Sequence, residues 1–137
     1  MVVPKDELSV LIREWYYAAS EGQLEKFLSF FLPDERATYF GTDPSELWYG
    51  YSQIRSNFEE NFKQYGKWTI MSKNLVVHQM GDVALFSDDV ELSAHYGSTG
   101  IAEEARMTGA LIKHDGQWKI VQAHFSIGIP NSELLPG

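Results

Sequence analysis

The chain of 137 residues contains no cysteine, which excludes disulfides and thiolate chemistry and leaves the redox compartment unread. It is poor in positive charge: 11 Lys and Arg stand against 19 Asp and Glu, a formal net charge of −8. That balance argues against nucleic acid, whose phosphate backbone requires a basic footprint, and against a polybasic attachment to membranes. Long hydrophobic runs are missing too. None approaches the roughly 18 residues of a spanning helix, and the start lacks the apolar stretch of a signal peptide, so a cytoplasmic location is expected. Proline is scarce, and none falls between Pro44 and Pro130, which suits uninterrupted strands. There is no nucleophile elbow, phosphate-binding glycine loop or dinucleotide fingerprint. Gly97-Ser98-Thr99-Gly100 reads as a turn between strands, without the following helix that phosphate binding needs.

What is present is aromatic and periodic. Aromatic side chains make up 14% of the chain, enough to fill a core or to line a cavity, and the length fits one domain with a substantial core. Leu8, Leu11, Ile12, Trp15 and Ala18–Ala19 follow helical spacing, with Gly22 as a C-terminal stop. Leu24, Phe27, Leu28 and Phe31 predict a second short helix that ends before Pro33. Arg36–Phe40 reads as a short strand. Asp43-Pro44-Ser45-Glu46 has the chemistry of a helix start of one or two turns. Ile54, Phe58, Phe62 and Tyr65 define a third helix closed by Gly66.

Strands fill the rest. Trp68–Gln79 leads through Met80-Gly81-Asp82 into Val83–His95. The run Ala105–Ile112 is joined to Trp118–Ser126 through a polar segment with Asp115-Gly116, a strong hairpin signal. Residues 130–137 read as a loose tail after a core of about 8–129. Helices segregated ahead of antiparallel strands mean an α+β fold.

Period-2 alternation sorts the strand residues onto faces. Trp118, Ile120, Gln122, His124 and Ser126 share one parity, apolar at first and polar at the end, as a pocket wall would be. In the preceding strand Ala84, Phe86, Asp88, Val90 and Leu92 share a face, making Asp88 the lone charge in an apolar stripe. Val83–Phe86 is apolar on both parities, so its second face also wants a cover. Arg106 and Thr108 share a face of the strand that pairs with the one carrying His124, so Asp88, Arg106 and His124 are expected to converge on one cavity. A one-residue bulge would substitute Asp89 for Asp88. Arg106 would there bind an anionic group, or else pair with Asp88, Asp89, Glu91 or Glu104. Tyr16, Tyr39, Trp48 and Trp68 combine an aromatic body with a polar tip, as pocket walls do. The histidines and carboxylates show no metal-ligand spacing, and neither metal nor cofactor is expected.

The element order, together with Phe40-Gly41-Thr42-Asp43-Pro44, Trp48, Gly50, Gly81-Asp82-Val83-Ala84 and the run from Asp115-Gly116 to His124-Phe125-Ser126, resembles the SnoaL-like domains. These belong to the nuclear transport factor 2-like, or ketosteroid isomerase-like, superfamily, and the likeness spans about Leu8 to Ile129. It implies a cone-shaped, curved antiparallel sheet wrapped over three N-terminal helices, a conical pocket, and an outer sheet face packed against a second copy. It implies a binding domain for a small apolar or carbonyl-containing molecule. The alternative is a cofactor-free isomerase, cyclase or dehydratase with Asp88 and His124 in proton transfer; a non-catalytic dimerisation module is the third reading. Asp88 would act with a raised pKa, as base or neutral donor, and His124 as acid or base near neutrality. The remaining candidates for ligand contact are Tyr16, Tyr39, Trp48, Trp68, Arg106, Thr108 and Ser126.

Overall fold

The computed structural model describes residues 4–96 and 98–135; Gly97 of the expected turn and the last two residues of the expected tail lie outside the described residues. Helix α1 (Pro4–Ser20) buries Leu8, Ile12, Trp15, Tyr16, Ala18 and Ala19, the face its spacing predicts. It stops at Gly22, whose φ of 68° lies in the left-handed region that a chain reversal uses. Helix α2 (Leu24–Ser29) follows, then strands β1 (Thr38–Phe40) and β2 (Leu47–Tyr49), helix α3 (Tyr51–Tyr65), and strands β3 (Trp68–Ser72) and β4 (Val76–Met80). Three long strands β5 (Val83–Tyr96), β6 (Thr99–His114) and β7 (Gln117–Ser126) precede a single exposed turn, α4 (Asn131–Leu134), in the segment expected to be loose. None of the described helices is long and apolar enough to cross a membrane.

The strands form one curved, open sheet in the order β2-β1-β7-β6-β5-β3, with β4 also paired to β5. The fold is α+β, as expected, with one departure from an all-antiparallel sheet: β1 runs parallel to β7. The β6–β7 hairpin closes through Asp115 and Gly116 at φ 50° and 76°. Left-handed values at both central positions are what a tight two-residue hairpin asks for, and Asp-Gly supplies them at little cost.

Two expectations about the strands are corrected. The stretch Trp68–Gln79 is not continuous. Residues 73–75 leave the ladder between β3 and β4, opposite Asp88 and Asp89, and both flanking strands pair with β5. And Asp43–Glu46 makes the β1–β2 turn rather than a helix, although its capping contacts form: the Asp43 N–H donates to Glu46 Oε1 at 2.8 Å, and the Ser45 N–H donates to Asp43 Oδ2 at 2.9 Å.

The core lies between the helices and the inner sheet face. Ala84, Phe86 and Val90 of β5, Ala105, Met107 and Leu111 of β6, and Ile120, Ala123 and Phe125 of β7 meet Trp15, Phe27, Phe31 and Phe58 from the helical side. At the centre of the sheet β5 and β7 flank Gly109 of β6. A Cβ there would come within 2.4 Å of both the Phe86 ring and the Gln122 carbonyl, so only glycine lets the layers close.

Candidate functional site

The inner face of β5 carries Asp88, as parity predicts, only 6% exposed. Asp89 points outward. The Asp88 carboxylate accepts the Tyr16 hydroxyl of α1 at 3.0 Å and the Asn74 N–H at 2.9 Å. It therefore clamps the break between β3 and β4 to the first helix. Tyr16, buried and facing this carboxylate, has its phenol pushed far above the ordinary value, by burial first and by the Asp88 charge second.

The expected convergence on Asp88 does not occur. Arg106 stands opposite Asp89 and Ser126, and Thr108 opposite Ser87 and His124, all in the ladder. Arg106, Thr108 and His124 are exposed on the outer face, while Asp88 is on the inner one. Ser126 is half-buried beside them. Among the described residues Arg106 makes no ion pair with Asp88, Asp89, Glu91 or Glu104; Glu104 pairs with Lys73 instead.

Arg106 and Thr108 face outward because the unbulged β5–β6 ladder sets Met107, not Arg106, opposite Asp88. For His124 and Ser126 the cause is a β-bulge in β7. Leu111 pairs with Ile120 but its neighbour Ala110 pairs with Gln122, leaving Val121 as an extra residue. Below the bulge the Ile120 backbone bonds to Phe30 and Leu32; above it residues 122–124 pair with β1. Val121 lets the strand change partners, and it turns His124 outward against Phe40, ring centroids 5.6 Å apart. Phe125 takes the inward place.

The cavity lies elsewhere along the inner face, at the open end between α3, the β1–β2 turn and the sheet, with a volume of about 740 Å³. Its walls include three of the expected aromatic residues, Tyr39, Trp48 and Trp68, together with Phe58 and Phe62 of α3 and Phe125 of β7. Tyr16, Asp88, Arg106, Thr108, His124 and Ser126 are not among its lining residues. Tyr39 is packed among four rings: Trp48 stacks on it at 5.1 Å, Phe58 meets it edge-on at 4.8 Å, Phe125 lies at 6.2 Å and Phe31 edge-on at 6.4 Å. Such pairs add packing energy beyond their buried area. Tyr39 is 7% exposed, and its hydroxyl has no hydrogen-bond partner among the described residues. Burial and then the Glu46 carboxylate push its phenol far above the ordinary value.

Polar groups enter from α3 and the turn. Asn61 accepts the Trp68 indole N–H at 2.8 Å, fixing that ring at the rim. Asn57 donates to the Gln53 carbonyl one turn back. Glu46 is half-buried and its pKa is raised, chiefly by burial. Asp43 is held below the usual carboxylate range by the Ser45 hydroxyl and N–H. Sequence reasoning missed Glu46, Asn57 and Asn61. Glu46 had looked like a capping residue, which it also is. The two asparagines, one helical turn apart beside Phe58 and Phe62, read as the solvent face of an amphipathic helix.

The profile of the SnoaL-like domain family matches residues 9–130. The chain belongs to this family. Solved structures share the fold of this SnoaL-like domain across nearly its whole length. A nuclear transport factor 2-like superfamily protein of Salmonella enterica serovar Typhimurium superposes with a TM-score of 0.82 at 21% identity, covering 91% of each chain. A candidate dehydratase of the same superfamily from Streptomyces avermitilis gives 0.82 at 14% identity, over 93% of this chain and 99% of that one. A candidate calcium/calmodulin-dependent protein kinase II association domain from Xanthomonas campestris gives 0.77 at 23% identity, over 95% and 94%. At these identities the likeness establishes the fold. Among curated proteins none matches.

Proposed function

We propose that this SnoaL-like domain binds a small molecule with an apolar, ring-bearing body in the cavity between α3 and the β1–β2 turn. The observation that carries the reading is the wall itself: Tyr39, Trp48 and Phe58 form a continuous aromatic surface around a space of about 740 Å³, within the ~300–1,000 Å³ of small-molecule sites. Rings already locked by core packing lose little entropy when a ligand arrives. The neutral fluorophore N-phenyl-1-naphthylamine tests it. Saturable binding is expected, with backbone NMR shifts confined to α3, the β1–β2 turn and the facing strands. Asn57→Trp, which fills the mouth from an exposed position, should abolish it. Non-saturable binding, or shifts confined to the outer sheet face, would refute the reading.

Proton transfer in the same cavity is the second reading, and one observation favours it: Glu46, a half-buried carboxylate with a raised pKa, stands beside the Tyr39 phenol. It draws on Glu46 rather than on Asp88 or His124, neither of which lines the cavity. We also infer that a second copy of the chain covers the outer sheet face, where Val83, Leu85 and Met80 are exposed.

A further inference from the structure

The cavity's charge is as one-sided as its wall is aromatic. Asp43, Glu46 and Glu60 line it, and among the described residues no lysine, arginine or histidine does. Glu60 is partly offset at the surface by Lys63, 3.6 Å away. Asp43 and Glu46 have no basic partner within ion-pair distance among the described residues; Asp43 is satisfied by Ser45, and Glu46 by the Asp43 N–H alone. Behind them lies Tyr39, more than nine-tenths buried, lining the cavity with a hydroxyl that bonds to none of the described residues.

Building on the binding reading above, we propose that the ligand of this cavity is an organic cation, an amine or quaternary ammonium on a ring-bearing body. The physical case has three parts. Aromatic faces attract a cation through their quadrupole, most strongly where water is displaced, and Trp48, Tyr39 and Phe58 line one space. Unpaired carboxylates at the mouth supply the compensating charge, and their attraction strengthens as the ligand displaces water. An anionic ligand would meet like charge with no cation to receive it. Burial raises the pKa of Glu46, the condition of a carboxylate that lacks the positive neighbour a bound cation would provide. The Tyr39 hydroxyl can accept from a protonated amine.

Phenyltrimethylammonium, its neutral isostere tert-butylbenzene and the anion benzenesulfonate form the test set, titrated into the native protein by NMR. The cation should bind in the cavity at least tenfold more tightly than the isostere, and the anion should not bind there. Glu46→Gln keeps the acceptor oxygen used by the Asp43 N–H; it should reduce the cation's advantage several-fold and leave tert-butylbenzene unchanged. Equal or weaker binding of the cation beside a neutral probe that does bind would overturn this inference and leave the pocket standing. If neither these compounds nor N-phenyl-1-naphthylamine binds, both readings fall.

Discussion

A carboxylate inside a sheet survives only with partners, because burying an unpaired charge costs far more than folding can supply. Asp88 has a phenol from α1 and a backbone N–H from the β3–β4 break, and these assign it to architecture. Removing it strands both donors. Asp88→Ala should lower unfolding free energy by about 1.5–3 kcal/mol, the range for hydrogen bonds to a charged group, read as a shifted urea midpoint at unchanged slope. The affinity for N-phenyl-1-naphthylamine should stay within about twofold, since Asp88 is outside the cavity wall. Parity was enough to place Asp88 inward and Asp89 outward. It could not name Tyr16 or Asn74 as partners, because those contacts cross 72 and 14 residues of chain and carry no local pattern.

At the scale of elements, α1, α3 and the Asp-Gly hairpin were legible, since each rests on a period or a turn chemistry confined to a few neighbours. The outer half of β7 was not. Ile120 and Val121 are both apolar, so the sequence shows no interruption where the strand takes its extra residue, and every position beyond it changes face. The bulge answers to a tertiary demand, the switch of β7 from Phe30 and Leu32 to β1. Much of the candidate site followed the same division: Tyr39, Trp48 and Trp68 announced themselves by type, whereas Glu46 acquires its burial only when the β1–β2 turn folds over the cavity mouth. A paired mutation tests the swap of faces. Phe125→Ala should cost about 3–5 kcal/mol, as aromatic truncations in a core do, while His124→Ala should stay within about 0.5 kcal/mol. Denaturation curves of the two variants would reverse in order if His124 pointed inward.

At the scale of the whole molecule, the sheet has a core on one side and exposed Val83, Leu85 and Met80 on the other. Their uncovered area predicts a homodimer: sedimentation at micromolar concentration should give about twice the chain mass of 15.6 kDa. Leu85→Lys, in the middle of that surface, should shift the population toward the monomer without lowering the unfolding midpoint by more than a surface change does. A monomer at all concentrations would leave that face without its proposed cover. The parallel joining of β1 to β7 has a further consequence in time. Tyr39 and Trp48 come before residue 50, yet Phe125, which closes the wall behind them, lies on β7, 77 residues after Trp48. Bringing such distant segments together makes this a late folding event. During synthesis the helices can collapse early, but the aromatic chamber has no back until β7 leaves the ribosome, so the ability to hold a ligand arrives only with that strand.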